Sequence, residues 1–477
     1  MASTHCWRCL ARPSQRLLFA PASVTTASTS IASTSTSTST TKASFSTTSA
    51  PSAKAGLELG RHLRTGKLSL RMKRGKRPPD KFKPALPGER KAFRKRIQLS
   101  NDNALEVTGL GMLSPQTAID PDSVGKMMGI PVQVVDQLRA CEAFKYSQSW
   151  GLFHSPHMLV RKETVDLAKQ MADAVRKQET LRMVVTGSRG SGKSMVGLQA
   201  LATGFMNDWI VLHVPEAQEL TNAVTEYATI PNSEMFSQPV YTVKLMQALL
   251  QTSQSVLSQH KVQLDHLHLP VSVTRNMTLA AMLGATKEPE FAWPVFQAFW
   301  KELLLPGRPP ILFSLDGLAH IMRVSAYRSP AFELIHSHDL ALVRMFTDAL
   351  GGKTAFPNGA VILGITSKGN APRITSMDKA IEQAAAVQNG AAEPPARDPF
   401  FAKYDERVFE ALRGVRLLDV QGVSRPEARA LMEYWAASGI MRARVDEPTV
   451  SEKWTMSGNG VVAEMERVVF HDLRTKI

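Results

Sequence analysis

Eight residues, Gly187-Ser-Arg-Gly-Ser-Gly-Lys-Ser194, meet the spacing G-x-x-x-x-G-K-[ST] at every fixed position. The chemistry this spacing permits is polyphosphate binding. Gly187, Gly190 and Gly192 allow positive φ, so the N–H groups around Ser188, Arg189 and Ser191 can converge on one point, beside the positive end of a following helix. Lys193 would reach the β- and γ-phosphates as a point charge, and the Ser194 hydroxyl would take one position on a Mg2+ ion. A second group follows in Pro309-Pro-Ile-Leu-Phe-Ser-Leu-Asp316, an apolar run ending in a carboxylate. This is the Walker B pattern, and Asp316 would hold the same ion, usually through water. The next residue is Gly317, where active members of the additional-strand P-loop class commonly carry a Glu that orients attacking water. Without it, general-base assistance of about 10²–10⁴ is missing. The site therefore reads as one that holds a nucleotide rather than turning it over, with no catalytic residue assigned. Thr366 and Ser367, ending the apolar run that starts at Ala360, stand where such folds place a group that senses the γ-phosphate.

These residues need a sheet to position them. Residues 181–186 form an apolar run into the glycine loop, and 195–205 leave it as a helix, which is the strand, loop, helix order the motif requires. Residues 209–214 are a short apolar run ended by Pro215, which fits a buried parallel strand; 360–367 and 415–420 add two more. Helices are expected at 124–128, 132–138, 163–177, 295–305, 333–350, 425–438 and 461–471, and a loop at 387–399. The segment at about 215–290 is too long for one crossover and reads as a helical insertion. The fold class is α/β: a three-layer P-loop NTPase sandwich of the additional-strand class, with a helical C-terminal cap. Its expected divisions are a presequence at 1–50, a basic arm at 51–100, a helical lead-in at 101–180, the nucleotide domain at 181–420 and the cap at 421–477.

Residues 1–57 contain no Asp or Glu, carry Arg8, Arg12, Arg16, Lys42 and Lys54, and are rich in Ser, Thr and Ala from Ser23 onward. That is the composition of a mitochondrial transit peptide, with removal expected near Phe45. The net charge of +15 is concentrated between positions 61 and 96, where fifteen Lys and Arg face only Asp80 and Glu89. From position 97 on the chain is nearly neutral. The basic segment reads as an extended arm whose Arg71, Lys73, Arg74, Lys76, Arg77, Arg94, Lys95 and Arg96 would neutralise RNA phosphates, recognising charge and shape rather than base sequence. Cys6 and Cys9 have C-x-x-C spacing but no second pair to complete a zinc site, and Cys141 reads as a buried thiol. No apolar run approaches the roughly 18 residues of a membrane span, so no membrane insertion is expected.

In this order the motifs resemble the death-associated protein 3 family of mitochondrial small-subunit ribosomal proteins, over roughly 85–477. The resemblance is carried by the basic arm, Gly151-Leu-Phe153, Leu159-Val-Arg161, the loop Gly187 to Ser194, Trp209-Ile-Val-Leu-His-Val-Pro215, Leu315-Asp-Gly317, Glu433-Tyr-Trp435 and Ser457-Gly-Asn-Gly460. It implies a component of the mitoribosomal small-subunit head, in the mitochondrial matrix. Such a protein contacts small-subunit mitochondrial rRNA and neighbouring ribosomal proteins and lies near a bridge to the large subunit. It also keeps a purine nucleotide, generally GTP or GDP, with Mg2+. The chain has no Asn-Lys dipeptide, so the N-K-x-D guanine reader is absent and ATP stays open. The rival reading is a working ATPase or GTPase switch acting on nucleic acid or in apoptotic signalling; Gly317 speaks against it.

Overall fold

The computed structural model describes residues 97–474 apart from 370 and 392, all within one unit, Phe82–Ile477. The segment expected to be a transit peptide and the arm residues Arg71 to Arg96 lie outside the described residues.

The chain first makes β1 (Gly111–Met112), α1 (Pro115–Ile119), β2 (Met127–Gly129), α2 (Val132–Ala140), β3 (His157–Leu159) and α3 (Lys162–Arg176). The helix expected at 124–128 is absent, and its place is taken by a turn and β2. Gly125 has φ +80°, and the Gly125 and Val160 N–H groups donate to the carbonyls of Val160 and Lys126, so this stretch pairs with its neighbour instead of coiling. The lead-in is thus a three-stranded sheet with helices, not helices alone.

Next come β4 (Thr180–Gly187), α4 (Lys193–Met206) and β5 (Ile210–Val214). The insertion holds α5 (Gln218–Thr221), the small pair β6 (Ala228–Thr229) and β7 (Phe236–Ser237), α6 (Pro239–Gln259) and α7 (Leu279–Gly284). The chain returns through α8 (Pro289–Leu303) to β8 (Ile311–Asp316), then β9 (Val324–Arg328), β10 (Leu334–His336), α9 (Ala341–Leu350) and β11 (Ala360–Ile365). Helices α10 (Thr375–Gln388) and α11 (Glu406–Ala411) lead to β12 (Arg416–Val420), and α12 (Arg425–Ala437), α13 (Glu447–Met456) and α14 (Val462–Arg474) close the chain. The helix expected over 333–350 starts only at Ala341. Leu334 and His336 pair antiparallel with Arg328 and Val324, and the Ser325 hydroxyl donates to the Ile335 carbonyl, which fixes residues 334–336 as a strand.

The central sheet is parallel, in the order β12-β4-β11-β8-β5. Strands β8 and β11 are buried on both faces, which is why they read as largely apolar runs. Alternate residues serve opposite layers. Met183 and Val185 of β4 pack with Met171 of α3 and Leu198 and Leu201 of α4; Val184 belongs with Phe296 and Phe299 of α8 and Phe346 of α9. A third cluster joins Met432 and Trp435 of α12 and Met465 of α14 to Met127 and Phe153 of the lead-in. Along β11, Ile365 pairs with Val185 on one side and Asp316 on the other, so the glycine loop and Asp316 open at one sheet edge. One strand lies between them, a separation of about 10 Å at ordinary strand spacing.

Candidate functional site

The glycine loop leaves β4 in a shape that side chains would block. Gly187 has φ +143°, and a Cβ there would sit 2.4 Å from the Val420 carbonyl oxygen. Gly190 has φ +77°, and a Cβ there would sit 2.8 Å from Ala463 Cβ at the start of α14. Gly192, left-handed, is the N-cap of α4, so the first-turn N–H groups of that helix face the loop without helical partners. Ser188 and Arg189 are exposed. Ser191 is fully buried, and its Oγ has no hydrogen-bond partner.

Lys193 is buried and folded back: its Nζ donates to the carbonyls of Gly187 (3.2 Å) and Ser188 (2.5 Å). Burial, then repulsion from Lys368, pushes its pKa down, against the pull of Asp316 and Asp419. The Ser194 hydroxyl donates to Asp316 Oδ2 at 2.8 Å, so the two residues proposed to share Mg2+ already meet. Asp316 is 3% exposed, and its other oxygen, Oδ1, has no hydrogen-bond partner. Neighbouring His213 offers no charge in return, because burial pushes it down to about 4. Positive groups at a helix start, an unpartnered buried carboxylate oxygen and an unpartnered Ser191 hydroxyl fit a magnesium-bound polyphosphate. Ser194 would ligate the ion and Asp316 would hold it through water. Such an ion would supply neutralisation of phosphate charge there.

The other predicted residues are placed as follows. Thr366 is buried at the end of β11 and its hydroxyl donates to the Val185 carbonyl at 2.9 Å, so it ties β11 to β4; Ser367, beside it, is partly exposed. Gly317 has φ +87° and caps the short turn at Leu318–His320, its N–H donating to the Ile365 carbonyl. A Cβ there would meet the His320 ring at 3.3 Å. The residue after Asp316 is therefore held in a backbone shape that disfavours a Glu.

Several residues at the site were not assigned a role from sequence. Arg161, 5% exposed, spans three groups: Nη1 donates to the Ser191 carbonyl, and Nη2 to Glu163 and to the Gln421 carbonyl, each at 2.8 Å. It braces the glycine loop against the segment leaving β12. Lys145 pairs with Asp316 through Oδ2. Its neighbour Gln148 accepts from Trp150 Nε1 (2.7 Å) and reaches Met195 Sδ, and Ser149 donates to Glu466 of α14. Burial raises the Glu466 carboxyl to about 7. The Ala463 N–H donates to the Gly190 carbonyl at 3.1 Å, which seats the last helix on the loop. Arg161 falls within one of the quoted motifs, but no local pattern marks Lys145 or Ala463: they reach the loop from far along the chain.

Comparison with known proteins finds one family model, mitochondrial ribosomal death-associated protein 3, matching residues 158–468. The chain is 51% identical over 479 residues to small ribosomal subunit protein mS29 of Neurospora crassa, covering 98% of each. It is 23% identical to the protein of that name from Schizosaccharomyces pombe, over 72% of this chain and 71% of the other. Among solved structures, a Walker-type ATPase of Pyrococcus abyssi aligns over 65% of this chain and 67% of its own, with 14% identity and a TM-score of 0.34.

Proposed function

Since the chain belongs to the mitochondrial ribosomal death-associated protein 3 family, we propose that it carries a purine nucleotide as a fixed part of its fold. It is a structural protein of the mitoribosomal small subunit, in the mitochondrial matrix. Within that subunit the nucleotide, GTP or GDP with ATP as the alternative, sits with Mg2+ on the loop Gly187 to Ser194. The sheet supports this placing: a strand stands between the loop-bearing β4 and the Asp316-bearing β8, as in the additional-strand class of P-loop folds. The observation that carries the reading is the unbalanced charge at the loop. Lys193 is held down first by burial and then by Lys368, more than Asp316 and Asp419 restore, so an anion at the loop would stabilise its ammonium beside the unpartnered Ser191 hydroxyl.

Turnover is slow or absent, because Gly317 supplies no base and its backbone has φ +87°. The role of the nucleotide is then stability: a site filled at 100 times its dissociation constant adds about 2.7 kcal/mol. The basic arm between 61 and 96 would contact rRNA phosphates, and the rest of the surface would meet neighbouring ribosomal proteins, with a bridge to the large subunit as part of the same proposal. The test is to isolate small subunits and extract their nucleotide, comparing wild type with Lys193→Ala. Near-stoichiometric nucleotide, lost together with subunit assembly in the variant, supports the proposal. Normal incorporation of a nucleotide-free Lys193→Ala protein overturns it.

A further inference from the structure

We propose that Lys145 is the resident cation of this site: its ammonium holds Asp316, and a divalent ion arriving with a nucleotide must take that carboxylate from it. The inference rests on the nucleotide reading above and names the residue that sets its metal dependence.

A carboxylate as buried as Asp316 is costly without a counter-charge. Lys193 is directed to the carbonyls of Gly187 and Ser188, and the ion pair to Asp316 is made by Lys145. Oδ2 thus receives the Lys145 ammonium and the Ser194 hydroxyl together, the two donors standing where an ion and its serine ligand would be served. Lys145 arrives on a fixed turn. Its own N–H donates to Gln148 Oε1 at 2.8 Å, that oxygen also accepts from the buried Trp150, and Gln148 touches Met195, next to Ser194. Its side chain is 26% exposed, so the flexible stem can swing toward the open mouth while the turn stays in place. Two effects follow with the same sign. With Mg2+ present, Lys145 competes for Asp316 and weakens the ion; with Mg2+ removed, it remains as the positive charge nearest that carboxylate. Lys145 therefore flattens the dependence of nucleotide binding on magnesium.

The experiment titrates the full chain with fluorescent N-methylanthraniloyl GDP and ADP, in excess Mg2+ and in excess chelator. The quantity read is the ratio of the dissociation constant in chelator to that in Mg2+. Lys145→Met is expected to raise this ratio by about tenfold or more, and Lys145→Arg, which keeps the charge, to leave it near wild type. Melting curves establish folding, and Lys145→Gln serves if the Met variant does not fold. A wild type that binds, with a ratio unchanged in both Lys145→Met and Lys145→Gln, overturns the proposal and leaves the nucleotide reading standing. Failure of the wild type to bind either probe removes the nucleotide reading and this proposal with it.

Discussion

Arg161→Ala is the most informative single substitution. The guanidinium is buried and makes three 2.8 Å bonds, to the carbonyls of Ser191 and Gln421 and to the Glu163 carboxylate. Hydrogen bonds from charged groups contribute about 1.5–3 kcal/mol each, but the losses overlap, because one side chain makes all three. Truncation also leaves two carbonyls and a partly buried carboxylate without this donor, and breaking such a buried pair costs about 3–5 kcal/mol. We expect a loss of about 4 kcal/mol. At roughly 2 °C per kcal/mol for a domain of this size, the melting midpoint falls by about 8 °C. Arg161→Lys keeps the charge but cannot serve both carbonyls from one planar fork, so it is expected to lose more than half of that amount. The assay is thermal melting of the full chain, with nucleotide binding measured in parallel. If Arg161→Lys melts and binds like wild type, the bridge between the loop and the β12 exit contributes nothing, and the reasoning from burial and geometry fails.

Installing the missing carboxylate is not expected to create a hydrolase. Gly317→Glu forces a side chain into φ +87°, at a cost of about 1–2 kcal/mol, and brings a Cβ within 3.3 Å of the His320 ring. The variant should melt lower, and phosphate release should rise by less than about tenfold, short of the 10²–10⁴ of a placed base; a hundredfold rise would refute this. Glu466 gives a pH signature. Its folded pKa of about 7 exceeds the ordinary glutamate value of 4.5, so the folded state prefers the protonated form. Stability from this group is present at pH 4.5, is lost as pH rises to about 7, and stays lost above it. Glu466→Gln should therefore stabilise the protein at pH 8, by about 3 kcal/mol, and hardly at all at pH 4.5, as read from melting curves at both values. An equal effect at the two pH values would count against the burial of that carboxyl.

What the sequence made legible was what is local. The loop Gly187 to Ser194 and the β8 run ending at Asp316 each declare themselves within eight residues, because a turn and a buried strand are specified by their own side chains. The pair β9 and β10 escaped because its strands are short and Glu333 to Leu350 keeps a helical apolar spacing that antiparallel pairing overrides. At 124–128, Gly125 was the local signal against a helix, and the pairing with Val160 decided it. The site was legible only in the residues proposed to meet phosphate and metal. Lys145 and Ala463 are an ordinary lysine and alanine until the fold brings one to Asp316 and the other to Gly190.

That last contact ties an early-made loop to a late-made helix. Synthesis runs from the amino end, so Gly190 leaves the translating ribosome long before Ala463 exists. Until α14 emerges, the Gly190 carbonyl lacks the N–H that seats the helix on the loop, and Ser149 lacks Glu466. A polypeptide ended early, by a nonsense codon or a protease, could build most of the central sheet and still leave the loop uncovered. The contact between Ala463 and Gly190 is thus one of long sequence separation, the kind of closure that slows folding.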